Sequence, residues 1–290
     1  MKIETSITAE EQDPAFRGVV IHDYNPLSGR RKYRHLDVPN QTMKKIHRRF
    51  LLILRKLPVS SYSMACRRGD SPLKAIRKHR GNRFFYVVDI KDAYQAVVID
   101  RMVEALGLLG LGNLDEGVNV KVFLERYCVS ARGGLATGSP SSPDLFNLYC
   151  AFAIDGKIAE ICKAKNLTFT RYLDDIIVSS PSAISRTTRR KIRSVLTTNG
   201  FVINHRKSEV RDLRKGAIIL LGIGMNEKGK FFIPRNYLRD CERTLRLSAT
   251  LSVICGKMGP ILHLANSTQL SYKAKRVVQM YQMWRRRRFK

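Results

Sequence analysis

Tyr172-Leu173-Asp174-Asp175 sets two adjacent carboxylates between the apolar runs Leu167-Thr168-Phe169-Thr170 and Ile176-Ile177-Val178. The pattern predicts the tip of a β-hairpin, with the Asp pair thrust out of a sheet. Neighbouring carboxylates repel unless cations neutralise them. Two Mg²⁺ ions about 4 Å apart would do so and would serve phosphoryl transfer. An exposed Asp-Asp turn is also common in its own right, so the tetrapeptide takes its meaning from the rest of the chain. Another carboxylate, Asp89, closes the apolar run Tyr86-Val87-Val88. Asp89 and Asp174 are distant in sequence, and two neighbouring strands ending at one sheet edge would bring them together. A third element is Gly134-Leu135-Ala136-Thr137-Gly138-Ser139-Pro140-Ser141-Ser142-Pro143. Its glycines permit close backbone approach, and its hydroxyls suit a base, sugar or phosphate. It reads equally as a polar loop capping the helix that follows.

These groups need a scaffold. Val19 to His22 and Lys32 to Val38 flank the turn signal Asn25-Pro26-Leu27-Ser28-Gly29, which predicts a basic hairpin. Met43, Ile46, Phe50, Ile53 and Leu54 recur at helical spacing until about Pro58. Arg83 to Val88 predicts a central strand ending at Asp89, and Leu145 to Ile161 a long helix after Pro143 with Asp144 in its first turn. Ser179 to Thr188 reads as a surface loop leading into a helix at about 187–197. Two short strands, Ala217 to Gly222 and Phe231 to Pro234, lie around the turn Asn226 to Gly229. Helices at Tyr237 to Leu247 and around Ala274, Val277, Val278, Tyr281 and Trp284 complete the chain.

The net charge of +29 favours a polyanionic partner, nucleic acid before a membrane surface. No apolar run is long enough to span a bilayer, and Met1-Lys2-Ile3-Glu4 does not open a signal peptide. The six cysteines lack Cys-X-X-Cys spacing and read as reduced thiols of a cytoplasmic protein.

In order along the chain, these elements resemble the reverse transcriptases. Val87-Val88-Asp89-Ile90-Lys91-Asp92-Ala93-Tyr94 resembles the family's first carboxylate motif, and Tyr172-Leu173-Asp174-Asp175 its Tyr-X-Asp-Asp signature. The Gly134 to Pro143 loop is similar to its Leu-Pro-Gln-Gly-X-X-X-Ser-Pro motif, and Gly200 to Ser208 to its Gly-φ-X-φ-Asn-X-X-Lys-Thr segment, φ being apolar. Leu220-Leu221-Gly222 resembles the turn that grips the primer, and Arg34-His35-Leu36-Asp37-Val38-Pro39 the fingers motif whose Arg holds the triphosphate. Val38 to Arg49 and Phe169-Thr170-Arg171-Tyr172 resemble retron and group II intron enzymes. The retron Asn-Ala-X-X-His signature is matched only loosely by Lys74 to His79, and the retron Val-Thr-Gly is replaced by Leu221-Gly222-Ile223. A retron-like or phage-defence-associated enzyme is therefore favoured over a retron enzyme in the strict sense.

The resemblance implies an α+β right hand: an N-terminal tail at 1–18, fingers at 19–83, palm with inserted fingers helices at 84–233, and helical thumb at 234–290. It implies an RNA-directed DNA polymerase using two Mg²⁺, with Mn²⁺ as substitute, held by Asp89, the Ile90 carbonyl, Asp174 and Asp175. Lys207 would protonate pyrophosphate. Arg34, with Arg31 or Lys32, would clamp the triphosphate. Asp92, Ala93, Tyr94, Thr137 and Gly138 would line the nucleotide site, with Tyr94 as the gate against a ribose 2′-OH. Ser139, Pro140, Leu221, Gly222, Arg285, Arg286, Arg287 and Arg288 would contact nucleic acid. Where the family has Pro-Gln-Gly, this chain has Ala136-Thr137-Gly138, which opens untemplated or protein-primed synthesis as an alternative. A silent RNA-binding scaffold is another. The implied partners are a structured noncoding RNA, its DNA product and deoxynucleotides. A separate effector protein and further copies of the chain are additional candidates. The chain reads as a bare polymerase core.

Overall fold

The computed structural model describes residues 13–25, 30–114, 117–247, 250–265 and 270–288. Positions 26–29 of the turn signal, and 1–12 of the tail, lie outside the described residues, as do the side chains of Arg31, Lys32, Arg287 and Arg288. The chain opens with a two-stranded antiparallel ribbon, β1 (Phe16–Asn25) and β2 (Arg30–Pro39), so β1 begins inside the stretch expected as a tail. Helix α1 (Gln41–Leu54) follows, capped by the Asn40 side chain, which accepts from the Met43 amide at 2.9 Å. Next come α2 (Pro72–Arg77), β3 (Phe84–Lys91), α3 (Ile99–Leu108) and α4 (Val120–Tyr127). The long helix expected after Pro143 is α5 (Ser142–Cys150), a π-helical turn (Ala151–Asp155) and α6 (Gly156–Lys163). It starts at Ser142, with Pro143 in the first turn where a missing N–H costs nothing.

The hairpin that carries Asp174 and Asp175 is β4 (Thr168–Tyr172) and β5 (Asp175–Ser180), followed by α7 (Arg186–Thr198), β6 (Val202–Ile203) and β7 (Glu209–Asp212). Ser179 and Ser180 are buried residues of β5, so the expected surface loop is confined to the residues after them. The region after Ala217 forms three strands rather than two: β8 (Ile218–Leu220), β9 (Ile223–Met225) and β10 (Phe231–Phe232). Leu221 and Gly222, with φ of 49° and 81°, make the two-residue turn between β8 and β9. Three helices close the chain: α8 (Arg235–Arg246), α9 (Leu251–Ala265) and α10 (Tyr272–Arg288).

The central sheet runs β4-β5-β3 with β6 and β7 both paired to the far edge of β3, every pair antiparallel. Both of its faces are covered, which explains why β3 reads as an unbroken apolar run rather than an alternating one. Tyr86, Val88, Ile90, Ile176 and Val178 join one core with α1 and α3–α7. Phe85, Val87 and Ile177 join a second with β8–β10 and α8–α10. Side chains alternate between the two layers along each strand.

Candidate active site

Register brings the carboxylates together. β3 and β5 are antiparallel, and Asp89 sits directly opposite Asp175. Asp89 therefore lies within β3, which continues to Lys91, and Asp175 begins β5; the expected pair of strands ending together is corrected. The Ile90 amide donates to the Asp174 carbonyl at 3.0 Å, which fixes the turn against the end of β3.

The segment after β6 grips Asp89. Lys207 Nζ donates to Asp89 Oδ1 at 2.5 Å, and Asn204 Nδ2 to Oδ2 at 2.9 Å. The Asn204 amide donates to the Asp89 carbonyl at 2.8 Å, and the Asp89 amide to Ser208 Oγ at 3.2 Å. Sequence reasoning singled out Lys207 but not Asn204 or Ser208, although the same motif contains all three.

Leu173 and Asp174 are the two residues of the hairpin turn, since Tyr172 pairs with Asp175. A positive φ at the first such position ordinarily selects glycine. Leu173 adopts it at 53°, and Arg171 holds it there. Arg171 is fully buried and donates to both Asp155 oxygens, at 2.8 and 2.9 Å. Its Nη1 donates to Asn147 Oδ1 at 2.8 Å and to the Leu173 carbonyl at 3.2 Å. Asp155 comes from the π-helical turn, where the extra residue per turn shifts which side chain faces the sheet. From the opposite side His79 meets Ser179 Oγ at 2.6 Å and Thr170 Oγ1 at 2.7 Å, tying the end of α2 to both strands of the hairpin.

In front of the carboxylates lies a cleft of about 510 Å³. Asp89, Ile90, Asp174 and Lys207 form its floor, with Arg34 from β2 and the segment Asp92-Ala93-Tyr94 on its walls. Thr137, Gln95, Arg132 and Asn204 are among its other lining residues. Tyr94 packs edge-on to Phe146, with ring centroids 5.4 Å apart, and its carbonyl accepts from the Leu135 amide at 2.8 Å. Gly134 makes that approach feasible, because a Cβ there would stand 2.6 Å from the Gln95 backbone. The Gln95 amide donates to Thr137 Oγ1 at 2.7 Å, so a glutamine reaches this point from a neighbouring segment. Thr137 and Asp37 exchange two bonds, Asp37 N to Thr137 O at 2.6 Å and Thr137 N to Asp37 Oδ2 at 3.0 Å.

Other expected residues stand elsewhere. Ser139 is 3% exposed, and its hydroxyl lies 2.9 Å from the His47 ring, which Ser141 also meets at 2.7 Å. The hydroxyl fastens the loop to α1. Asp175, Gly138 and Pro140 are not among the cleft's lining residues; Leu221 and Gly222 sit on the separate β8–β10 sheet. Arg285 and Arg286 are exposed on α10, while Arg31 and Lys32 lie on β2 opposite Tyr24 and Asp23.

Burial, then the charges of Asp174 and Asp89, push the Asp175 carboxyl up to about 7. Burial likewise raises Asp174, with Asp89 adding to the effect. Neighbouring carboxylates, two of them raised by burial and by one another's charge, are a set that hard divalent cations suit. Among the described residues no three such side chains converge on one point as they stand; Asp89 is turned into Lys207 and Asn204. Burial also keeps His47 and His79 neutral, at about 4 and about 3.

Residues 22–225 match the family model described as reverse transcriptase (RNA-dependent DNA polymerase). The chain belongs to the reverse transcriptase family. By family it is an RNA-directed DNA polymerase, a retron-related nucleotidyltransferase. It is 25% identical to the retron Ec86 reverse transcriptase of Escherichia coli, over 81% of this chain and 69% of that one. Against the retron Mx162 and Mx65 reverse transcriptases of Myxococcus xanthus it is 28% and 30% identical, over 73% and 67% of its length. It spans 48% of each of these. The α+β fold resembles that of telomerase. The Candida albicans enzyme, solved with a fragment of telomeric RNA, gives a TM-score of 0.53 at 14% identity, over 93% of this chain and 57% of that one. Apo telomerase of Candida tropicalis gives 0.55 at 11% identity, over 96% and 63%.

Proposed function

We propose that this chain extends a 3′ hydroxyl with deoxynucleotides on a dedicated structured noncoding RNA, in the cytoplasm, as part of phage defence. The observation that carries the polymerase reading is the register of Asp89 against Asp175, with Asp174 in the turn and Lys207 reaching the same carboxylate. Phage defence follows from the retron likeness alone. Fingers, palm and thumb are assigned to 19–83, 84–233 and 234–290.

Asp89, Asp174 and Asp175, with the Ile90 carbonyl, would hold two Mg²⁺, or Mn²⁺ in their place. When bound, the ions supply positive charge at the attacking hydroxyl and at the leaving oxygen. Lys207, which bonds Asp89 here, would be released were Asp89 to hold a cation, and could then give a proton to pyrophosphate. Arg34, facing the carboxylates across the cleft, binds the triphosphate through charge-assisted bonds. Tyr94 is half-buried and braced by Phe146, a rigid wall where a ribose 2′-OH would project. Gln95, bonded to Thr137, supplies an amide in a loop that lacks its own glutamine, which favours templated over untemplated synthesis.

The test is incorporation of labelled deoxynucleotides by protein purified with its RNA, beside an Asp174→Ala, Asp175→Ala variant, with the product sequenced. DNA complementary to the bound RNA, lost in the variant, is the expected result. Label retained by the variant would mean a contaminant. Incorporation by neither, with RNA still bound, would favour the scaffold reading.

A further inference from the structure

Helix α7 carries Arg186, Arg189, Arg190, Lys191 and Arg193, five cations in eight residues, and no acidic residue. Among the described residues none of the five enters an ion pair. Ile192 and Leu196 bury one side of the helix in the palm core, which leaves Arg186, Arg190 and Lys191 exposed and Arg189 and Arg193 half-buried over Tyr86. Arg186, Arg190 and Arg193, one helical row, line a shallow cavity of about 340 Å³ with Ser194 and Thr197. None of these residues lines the catalytic cleft.

Two guanidinium groups crowd one phenol at this place. Arg189 Nε and Arg193 Nε are buried without a hydrogen-bond partner, and the Tyr86 hydroxyl beneath them meets the Arg193 side chain. Tyr86 is 3% exposed on β3 and lies against both arginines, close enough to feel their charge. Buried donors ordinarily find partners, and the single Tyr86 oxygen offers too few acceptors for two guanidinium groups. What satisfies them must bring acceptors and negative charge. The exposed residues of α7 are Arg186, Thr187, Arg190, Lys191, Ser194, Thr197 and Thr198, with no apolar anchor of the kind that centres a protein interface. Guanidinium forks beside hydroxyls, on a chain of net charge +29, suit phosphodiesters.

We propose that the outer face of α7, with Tyr86 beneath it, is a second nucleic-acid surface that grips the backbone of a structured RNA outside the catalytic cleft. It rests on the reading of the chain as a polymerase with a dedicated RNA, and names the part that retains that RNA while its template strand is copied. The contacts are to phosphate and carry no base sequence, so they hold shape and position.

Binding alone tests this, independently of synthesis. The full chain is titrated against a fluorescently labelled RNA stem-loop over a range of salt. The variants are Arg186→Gln/Arg190→Gln/Arg193→Gln, Tyr86→Phe, and a control, Lys157→Gln/Lys163→Gln/Lys165→Gln, that removes as many exposed cations from the neighbouring α6 region. The arginine variant is expected to bind roughly tenfold or more weakly, with a salt slope shallower by about two to three. Tyr86→Phe, which changes no charge, should bind several-fold more weakly at unchanged slope. Both should melt like the wild type and extend a short annealed primer on its template normally. Equal losses in the α6 control would reduce the effect to the general field and overturn the proposal. So would an unchanged slope in the arginine variant or wild-type binding by Tyr86→Phe. Displacement of RNA by millimolar inorganic phosphate would assign the site to a small anion, and displacement by polyglutamate to an acidic protein; either overturns the RNA reading.

Discussion

Replacing Arg171 by Met removes the cation that the catalytic hairpin is built around. Its guanidinium makes two bonds to Asp155, which is itself 1% exposed, and further bonds to Asn147 and to the Leu173 carbonyl. The loss leaves a buried carboxylate without a partner, and breaking such a pair from one side costs about 3–5 kcal/mol. Against a total stability on the order of 5–15 kcal/mol, that lowers the melting temperature by roughly 10 °C. Arg171→Met with Asp155→Leu removes the stranded charge and should recover most of the stability. It should not recover catalysis, because Leu173 keeps its left-handed backbone with nothing holding its carbonyl. Melting curves and the Mg²⁺ dependence of nucleotide incorporation read the two effects separately. The double variant is expected near wild-type stability with a higher half-saturating Mg²⁺ concentration. A single variant that loses less than about 1 kcal/mol would refute the account of a buried, charge-coupled clamp. A double variant with wild-type Mg²⁺ dependence would refute the positioning role.

His47 and His79 are held neutral in the folded chain, at about 4 and about 3, so the unfolded chain binds more protons below their ordinary value of 6.5. Their contribution is full above pH 6.5 and is lost as pH falls toward 4 and 3, about 2 kcal/mol for each by pH 5. Urea titrations of wild type and His79→Gln should differ in pH slope by that amount. Asp175 acts in the opposite sense: raised to about 7, it makes the metal-free fold lose stability as pH climbs from about 4 to 7. Asp175→Asn should therefore stabilise the metal-free chain at pH 8 by up to about 4 kcal/mol, change little at pH 4, and abolish the stabilisation by added Mg²⁺. Tyr94→Ala should raise ribonucleotide incorporation at least tenfold relative to deoxynucleotide, measured as a ratio of kcat/KM values, with the variant's folding unchanged by circular dichroism.

The chain announces its carboxylates because both stand beside apolar runs that can only be strands. The register between those strands is not local information; it emerges from hydrogen bonding along β3, which extends past Asp89 instead of stopping there. The burial of Ser139 is hidden for a related reason. A hydroxyl-rich loop looks solvent-facing until α1 brings His47 against it. Asp155 is hidden in a helix whose phase slips at the π-helical turn, so a simple 3.6-residue count faces it the wrong way. Helices α2 and α4 are short, and α9 carries two glycines and Pro260, so none shows the sustained periodicity of α1 or α7. Asn204 was within a motif already read, yet only the folded geometry shows its amide and side chain both spent on Asp89.

The two bonds between Asp37 and Thr137 have a mechanical meaning. Asp37 stands near the base of the β1–β2 ribbon that carries Arg34, and Thr137 stands in the loop braced through Gln95 and Tyr94. On the proposed reading, a ribbon tilting inward over a triphosphate would pull that loop with it, like two arms on one axle. A mispaired base that propped the loop out of place would hold the ribbon open as well. Selection between right and wrong nucleotides would then be exerted through closure of the whole cleft, at a distance from the base pair itself, with the tightness of this one joint setting how strictly it is enforced.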